Sequence, residues 1–303
     1  MPLDPQSQKF LDALALQDSP GWSTLGHEVG RDVFAGLTDL FGTGPDVKCI
    51  DDVATQDGVR IRIYRPQDER SPVLMYFHGG GWVLGDIETH DAVCRRIASE
   101  SGFAVASVDY RRAPDVRYPG ASDDCYQATR FVAENATALH VNSDVLAVGG
   151  DSAGGNLAAA VALKSRDDSG PHIAGQILIY PVLNNNFETA SYVKCAENFG
   201  LTRETMMWFW EQYLGDQKAD AYAAPPLAES LAGLPPAFVM TAEYDVLCDE
   251  GEDFAHRLTQ SGVATTLKHY EGMLHGFVHF AAAFDRSHEA VADMAQFLQG
   301  LRP

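Results

Sequence analysis

Basic residues, closely spaced cysteines and long apolar runs are all scarce in this chain of 303 residues. It holds 22 Lys and Arg against 42 Asp and Glu, a formal net charge of −20. This balance argues against binding to nucleic acid or to an anionic membrane, and it favours a highly soluble acidic protein. No run of about 18 apolar residues occurs, so no membrane span is expected.

The cysteines give no sign of a disulfide framework or of a zinc site. They stand far apart, their number is odd and no C-x-x-C pair occurs. They are Cys49, Cys94, Cys125, Cys195 and Cys248. The segment Met1–Lys9 shows no basic region followed by an apolar core, so no secretory signal is expected there. We therefore expect a cytoplasmic protein.

Apolar segments of strand length alternate with helical segments from about residue 59 onward. The predicted strands are Val59–Tyr64, Val73–Phe77, Phe103–Val108, Asp144–Val148, Ile177–Tyr180, Ala237–Thr241 and Ala264–Tyr270. The predicted helices between and after them are Ala92–Ser101, Ser122–Asn135, Asn156–Leu163, Asp249–Ser261 and Glu289–Leu298. This alternation predicts an α/β fold with a mostly parallel central sheet, flanked by helices on both faces.

Two segments do not follow this alternation. Residues 1–45 are predicted to form amphipathic helices that are broken at Pro20-Gly21. Residues 187–214 are predicted to be helical and are rich in aromatic side chains. We expect one catalytic domain over residues 46–303, with a helical cap built from the N-terminal helices and the insertion at about 187–214.

One serine stands in a G-x-S-x-G pattern, between a predicted strand and a predicted helix. Gly150 and Gly154 flank Ser152 at this spacing. Glycine is needed there because so tight a turn brings neighbouring backbone into contact and leaves no room for a Cβ atom. The pattern is typical of the nucleophile elbow of α/β-hydrolases, which holds the serine hydroxyl where a substrate carbonyl can reach it.

A serine nucleophile needs a base and an acid, which follow it along the chain in this fold. Asp245 comes after the strand that ends at Thr241, near the carboxyl end where open α/β sheets build their sites. It is the predicted acid, which would fix the tautomer of a histidine and stabilise its charged form. Glu243 and Asp249 are alternatives, and a loop aspartate that caps the next helix is the structural alternative for Asp245 itself.

His275 is the predicted base because it follows the last predicted strand. Of the other candidates, His269 falls within that strand, whereas His279 and His288 fall in or near the last helix. His275 and His279 have the spacing of a metal-binding pair, but the glutamate of the H-E-x-x-H motif is absent. We therefore predict no metal at this site.

Three consecutive glycines follow the strand that ends at Phe77. In the segment His78–Trp82, the bare backbone of Gly79, Gly80 and Gly81 exposes N–H groups. Such groups, with the amide of Ala153, can stabilise the negative oxygen of a tetrahedral intermediate. We predict that these four residues form an oxyanion hole and that His78 holds the loop.

The chain resembles the bacterial hormone-sensitive lipase family (family IV) of carboxylesterases. The segments that carry the resemblance are His78–Trp82, Gly85–Asp91, Asp109–Asp115, Tyr118–Ala121, Gly150–Leu157, Tyr180–Pro181, Asp245–Gly251 and His275–Phe277. The resemblance implies Ser152, Asp245 and His275 as the triad, a cap over the acyl and alcohol pockets, and the capacity to form a homodimer. The chain departs from the family pattern at Arg112, Asp115 and Val246, the last of which replaces a proline beside the acid.

The predicted reaction is hydrolysis of short- to medium-chain acyl esters through an acyl-enzyme, with no metal or organic cofactor. A small ester is the expected partner. Five residues are predicted to line its pocket, although the aromatics are equally well explained as core: Trp82, Asp151, Trp208, Phe209 and Tyr213. Hydrolysis of an amide or formamide, as in arylformamidases, and a non-catalytic binding protein on the same scaffold are the alternatives.

Overall fold

The computed structural model of the protein describes residues 2–17 and 20–302, within which eight strands form one sheet. The strands are β1 (Cys49–Ala54), β2 (Arg60–Arg65), β3 (Ser71–Phe77), β4 (Ala104–Asp109), β5 (Val141–Asp151), β6 (Gly175–Ile179), β7 (Ala237–Tyr244) and β8 (Thr265–Leu274). Their order across the sheet is β1-β2-β4-β3-β5-β6-β7-β8. β1 and β2 are antiparallel to their neighbours, and all other pairs are parallel. The predicted fold class is confirmed.

Helices cover both faces of this sheet and extend beyond its carboxyl edge. Those of the described residues are α1 (Pro5–Gln17), α2 (Trp22–Ala35), α3 (Thr38–Phe41), α4 (Asp91–Ser101), α5 (Gly120–Glu134), α6 (Ala153–Asp167), α7 (Ala190–Lys194), α8 (Arg203–Leu214), α9 (Cys248–Gln260) and α10 (Arg286–Gly300). No helix within residues 2–17 and 20–302 is long and apolar enough to cross a membrane.

The central strands are apolar on both faces because two layers of helix bury them. Every residue of β6 is buried, and in β5 only Asn142, Ser143 and Asp144 are not. β2 lies near the sheet edge, and its mostly alternating burial matches its alternation of charged and apolar residues. One edge strand, β1, was not predicted. Its acidic pair Asp51-Asp52 interrupts the apolar pattern that marks the other strands.

The N-terminal helices lie in two different places. α1 contacts β8, where the hydroxyl of Ser7 donates to the carbonyl of Gly272 at 2.8 Å. α2 packs against α8, which belongs to the predicted insertion. α1 ends before Pro20-Gly21 and α2 begins after it. The division of the chain into a cap and a catalytic domain stays a prediction.

Candidate active site

The turn that carries Ser152 joins β5 directly to α6. Ser152 has φ 56° and ψ −118°, a backbone conformation that is strained for a residue with a side chain. A Cβ atom at Gly150 or at Gly154 would overlap the backbone carbonyl of Phe77, which cannot move without breaking the sheet. The two glycines therefore allow the close packing of α6 on β3 that this turn requires.

Ser152, His275 and Asp245 form a chain of hydrogen bonds across the carboxyl ends of β5, β8 and β7. The Oγ of Ser152 lies 3.0 Å from Nε2 of His275, and Nδ1 of His275 lies 2.7 Å from Oδ2 of Asp245. The other carboxylate oxygen of Asp245 accepts the N–H of Leu247 at 3.0 Å. With Nδ1–H directed at the carboxylate, the lone pair on Nε2 faces the serine hydroxyl, as general-base chemistry requires.

This cluster is largely shielded from water. Ser152 is 6% exposed and Asp245 is 1% exposed. Tyr180 packs on the imidazole of His275, with ring centroids 4.7 Å apart. Shielding keeps electrostatic interactions within the site strong, because little water is present to screen them.

The alternative acids point elsewhere. The carboxylate of Asp249 accepts the N–H of Ser191 at 2.7 Å, and that of Glu243 accepts the N–H of Gly272 at 2.8 Å. The hydroxyl of Ser191 also donates to the carbonyl of Val246 at 2.7 Å. The loop that carries Asp245 is thus held by the start of α7 in the place where the family pattern has a proline.

The alternative bases also lie outside the cluster. His269 lies 3.0 Å from the carboxylate of Glu252, on the far side of β8. His288 is exposed on α10. His279 is buried and stacks on His90 at 4.1 Å. Its two nitrogens have no hydrogen-bond partner among the described residues.

The glycine loop lies beside the turn that carries Ser152, since a Cβ atom at Gly154 would overlap the backbone carbonyl of His78. Gly80 and Gly81 have φ of 104° and 61°, which glycine adopts freely. Within the described part of the chain, no hydrogen bond uses the N–H of Gly80, Gly81 or Ala153. Ala153 is also the first residue of α6, so the positive end of the helix dipole faces the same place. These three amides suit a developing oxyanion.

The N–H of Gly79 points the other way. It donates to Oδ1 of Asp151 at 3.1 Å and lies 3.2 Å from Nε2 of His90. Asp151 also accepts the hydroxyl of Tyr76 at 2.7 Å. Burial by itself would raise the pKa of Asp151, but the nearby His90 and the bond from Tyr76 outweigh it and hold that pKa below its usual range. Asp151 therefore lies behind the loop as a buried carboxylate.

His78 and Tyr110 hold the same loop from beneath. Nδ1 of His78 lies 2.9 Å from the carbonyl of Gly79, and the hydroxyl of Tyr110 donates to the carbonyl of His78 at 2.8 Å. The two rings stack with centroids 4.1 Å apart. Burial, followed by the charge of His90, lowers the pKa of His78 to about 3, so its ring is neutral at ordinary pH.

The aromatic residues predicted for the pocket occupy two different settings. Trp82 and Tyr213 are fully buried and stack in parallel, with centroids 4.1 Å apart. Phe209 lies against Gly81, where any Cβ atom would overlap its ring. Trp208 is only partly buried and contacts Phe209 at 5.1 Å. A pocket role for these four residues stays a prediction.

Sequence reasoning assigned no role to Tyr76 or His90. Tyr76 belongs to an apolar strand, and nothing in the strand pattern marks its hydroxyl as a donor. His90 lies in the segment Gly85–Asp91, which was recognised only as part of a resemblance. A histidine just before a helix, in a segment that follows the glycine loop, is the one signal that could have drawn attention to it.

Hydrogen bonds join a serine to a histidine and that histidine to an aspartate at the carboxyl edge of an α/β sheet. This arrangement, beside amides without a partner in the described chain, is that of a serine hydrolase. A family model described as the alpha/beta hydrolase fold matches residues 74–279. The chain belongs to this family. Its resemblance to the hormone-sensitive lipase type of carboxylesterase is confirmed by the relatives described next.

Characterised relatives and solved structures agree with this membership. Carboxylesterase NlhH of Mycobacterium tuberculosis is 39% identical over 256 residues, which cover 81% of this chain and 80% of the relative. Ethyl acetate hydrolase of Pseudomonas putida is 34% identical over 273 residues, which cover 86% and 85%. The structure of a hyperthermophilic esterase from Pyrobaculum calidifontis superimposes with a TM-score of 0.94 at 40% identity and covers 99% of each chain.

Proposed function

We propose that this protein is a serine carboxylesterase in which Ser152 is the nucleophile, His275 the general base and acid, and Asp245 the residue that orients His275. The observation that carries the proposal is the unbroken hydrogen-bond chain through these three residues, beside three amides that have no hydrogen-bond partner within the described residues. Relatives that are ester hydrolases support it. The alternative of an amide-hydrolysing enzyme has no support among the relatives named above.

The geometry supports the following steps. Ser152 attacks the ester carbonyl while Nε2 of His275 accepts the hydroxyl proton. The N–H groups of Gly80, Gly81 and Ala153 bind the resulting oxyanion. His275 then donates its proton to the leaving alcohol, and water repeats the sequence on the acyl-enzyme. No step needs a metal or an organic cofactor.

We further propose that residues 1–45 and the insertion at 187–214 form the cap and limit the acyl chain to short or medium length. Support comes from the packing of α2 on α8 and from Phe209, which lies against the glycine loop. A covered site admits small soluble esters more readily than the surface of a fat droplet. Aryl esters from acetate to octanoate should therefore be hydrolysed faster than emulsified long-chain fat.

The proposal is tested with Ser152→Ala, assayed on aryl butyrate and on the matched anilide. We expect the purified protein to hydrolyse the ester much faster than the anilide, and Ser152→Ala to lose both activities and its labelling by a serine-directed phosphonate. Ser230→Ala, at an exposed serine outside the site, is the control and should behave as the unchanged protein. Ester hydrolysis that survives in Ser152→Ala would exclude Ser152 as the nucleophile.

We also propose that the protein forms a homodimer and that it is located in the cytoplasm. Among the described residues β8 is an edge strand of the sheet, and α1 bonds to it at Gly272, so the part of β8 before that residue is where a second copy could pair. The five cysteines are all free thiols, which suits a reducing compartment. Light scattering in solution tests the first expectation, and localisation of the tagged full-length protein tests the second.

A further inference from the structure

A buried polar cluster lies directly behind the glycine loop and contacts none of the reacting atoms. We call it the loop anchor, and it consists of Tyr76, His90 and Asp151. Two donors reach a single oxygen, Oδ1 of Asp151: the hydroxyl of Tyr76 at 2.7 Å and the N–H of Gly79 at 3.1 Å. Nε2 of His90 lies 3.5 Å from the same oxygen. A buried carboxylate is costly unless it is paired in this way.

The three side chains of the loop anchor have little freedom to move. Tyr76 and His90 are each 1% exposed and Asp151 is 5% exposed. Nδ1 of His90 lies 3.0 Å from the hydroxyl of Thr89, which fixes the direction of the ring. A Cβ atom at Gly79 would overlap the carboxylate of Asp151. The loop therefore rests directly on that carboxylate.

The position of the Gly79 amide determines where the next amide points. Its N–H is held by Asp151, and its carbonyl is held by Nδ1 of His78 at 2.9 Å. The carbonyl of Gly79 and the N–H of Gly80 belong to one planar trans peptide, so they point in opposite directions. The bond to His78 therefore turns the N–H of Gly80 away from that ring, and the bond to Asp151 holds the other peptide of Gly79 in place.

We propose that Asp151, supported by Tyr76 and His90, is a positioning residue that sets the Gly80 amide for the oxyanion. Asp151 also precedes Ser152 in the chain, so one residue connects the nucleophile turn to the oxyanion loop. The proposal rests on the esterase function proposed above. A positioning role of this kind acts on the transition state more than on substrate binding, since the oxyanion exists only there.

The test compares Asp151→Ala with Asp151→Asn and Tyr76→Phe in ester hydrolysis, with active sites counted by phosphonate labelling. Asp151→Ala should lower kcat by about 10- to 100-fold, with KM changed less than about threefold. Asp151→Asn keeps the Oδ1 acceptor and should recover most of this loss. Tyr76→Phe should show a loss of a few fold. Hydrogen exchange at the Gly79 amide should rise in Asp151→Ala.

Asp124→Ala is the matched control, because Asp124 is also a buried carboxylate but pairs with Arg111 away from the site. It should lower the melting temperature and leave kcat per labelled site unchanged. An Asp151→Ala protein that behaves in the same way would overturn the positioning role. Failure of the esterase function is distinguishable, because it would appear as absent hydrolysis in the unchanged protein.

A second cluster, between the start of α9 and the strand β8, brings together three side chains of metal-binding type. We call it the α9–β8 cluster, and it consists of Cys248, Glu252 and His269. Sγ of Cys248 lies 3.7 Å from Oε1 of Glu252 and 3.9 Å from Nδ1 of His269, and the latter two atoms lie 3.0 Å apart. The hydroxyl of Thr241 also lies 3.0 Å from Nδ1 of His269.

These separations are close to those of a tetrahedral zinc site, and a small movement of the side chains would bring them into its range. Zinc bonds of about 2.0–2.3 Å at tetrahedral angles place sulfur, nitrogen and oxygen donors roughly 3.4–3.6 Å from one another. The three observed distances lie within about 0.4 Å of that range. Sequence spacing does not reveal the site, because His269 comes from a different element than Cys248 and Glu252.

We infer that Cys248, Glu252 and His269 bind one divalent cation of the zinc class, with water as the fourth ligand. The thiol proton is released to solvent on binding. The side chains of His269 and Glu252 are 33% and 35% exposed, which leaves a path for the ion and its water. Binding would connect α9 to β8 beside the loop that carries Asp245, since the N–H of Cys248 donates to the carbonyl of Asp245 at 3.2 Å.

Titration of the purified full chain with Co²⁺, and then with Zn²⁺, tests this inference without any activity assay. We expect one equivalent of Co²⁺ with a thiolate-to-cobalt absorption band, displacement of Co²⁺ by Zn²⁺, and a rise in melting temperature. Cys248→Ala and His269→Ala should lose the band, and Cys49→Ala should keep it. No thiolate band, or a band that persists in Cys248→Ala, would overturn the inference.

Discussion

The two sides of the active site are built differently. Below, the sheet holds the candidate triad. Ser152 lies in a strained turn at the end of β5, and the carboxylate of Asp245 accepts the N–H of Leu247. Above, in the proposed cap, α2 is held by side chains that include the buried ring of Phe34 and the guanidinium of Arg31. That guanidinium donates to the carbonyls of Val83 and Ala113 at 2.9 Å and pairs with a carboxylate on the same loop.

We infer from this difference that the lower side carries out the reaction, whereas the upper side controls the entry of substrate. A geometry fixed by backbone and by close packing changes only when the fold itself is disturbed. A helix held by a few side chains can shift when one contact is removed. We therefore expect substitutions below the substrate to affect kcat, and those above it to affect KM. The predictions that follow test this division, from the largest expected effect to the smallest.

The largest effect is expected from Asp245→Asn. The amide keeps the shape of the carboxylate, but its oxygen stays with the N–H of Leu247, so its NH2 group faces Nδ1 of His275 and donates to it. The imidazole then carries its proton on Nε2 and loses its productive tautomer, and its charged form is no longer stabilised by a carboxylate. We expect kcat to fall by about 10⁴ and KM to change little. Steady-state kinetics on an aryl butyrate measures both parameters.

Asp249→Asn is the matched control for this acid. Asp249 bonds to Ser191 and does not contact His275, so its variant should lose less than about tenfold in kcat. Equal losses in the two variants would contradict the assignment of Asp245 over its neighbour.

The second effect is expected from Gly154→Ala, which disturbs the packing of α6 on β3 and changes no catalytic group. The added Cβ atom would overlap the backbone carbonyl of Phe77. We expect a loss of about 3 kcal/mol in the free energy of unfolding, together with a large loss of activity. Urea unfolding followed by circular dichroism gives the first value.

Gly300→Ala provides the comparison, because a Cβ atom there meets no atom within 4 Å and the backbone is not in the left-handed region. Its free energy of unfolding should be equal to or slightly above that of the unchanged protein. A Gly154→Ala protein of ordinary stability would mean that α6 can move away from β3 without harm.

The third effect concerns the upper side and is expected from Arg31→Ala. Loss of three bonds to the loops at Val83 and Ala113–Asp115 frees α2, and KM should rise several fold while kcat stays within about threefold. Unfolding free energy should fall by about 1–2 kcal/mol. Asp115→Asn removes only an exposed partner and should change stability by less than about 0.5 kcal/mol. A selective loss of kcat in Arg31→Ala would contradict the division.

The strands that are buried on both faces were predictable from the sequence, whereas the edge strand β1 was not. Strands covered on both faces must be apolar throughout, so β3, β4 and β6 are marked by continuous apolar runs. β1 is an edge strand that is only partly buried, so its aspartates can take part in the sheet although they interrupt the apolar pattern. A rule based on apolar runs cannot find such a strand.

In the candidate site, the three residues of the triad could be recognised from the sequence, whereas the residues behind the glycine loop could not. Ser152, Asp245 and His275 occur at positions that the order of strands makes recognisable, and the structure brings them together. Their roles stay a prediction. The contacts of Tyr76 and His90 depend on which side chains meet behind the loop, across 75 and 11 residues of chain, and no local pattern encodes this.

The smallest effect concerns Glu250, a fully enclosed carboxyl next to the lower side of the site. Its Oε1 accepts the N–H of Leu183 at 2.8 Å, whereas Oε2 has no partner within the described residues. Burial, which outweighs the bond from Leu183 and is reinforced by the charge of Asp245, raises its pKa well above the usual range. The folded state therefore favours the protonated carboxyl, and this group destabilises the fold as pH rises from about 4.3, where it ionises in the unfolded chain.

Glu250→Gln removes this pH-dependent loss while keeping an acceptor for Leu183. We expect the variant to gain about 1 kcal/mol over the unchanged protein at pH 8, and to show little difference near pH 4.5. Glu229→Gln, at an exposed position, should show no such trend. Urea unfolding at pH 4.5, 6 and 8 measures all three proteins. A gain that is the same at every pH would mean that the pKa of Glu250 does not differ between the folded and the unfolded protein, and it would contradict the raised pKa of this carboxyl.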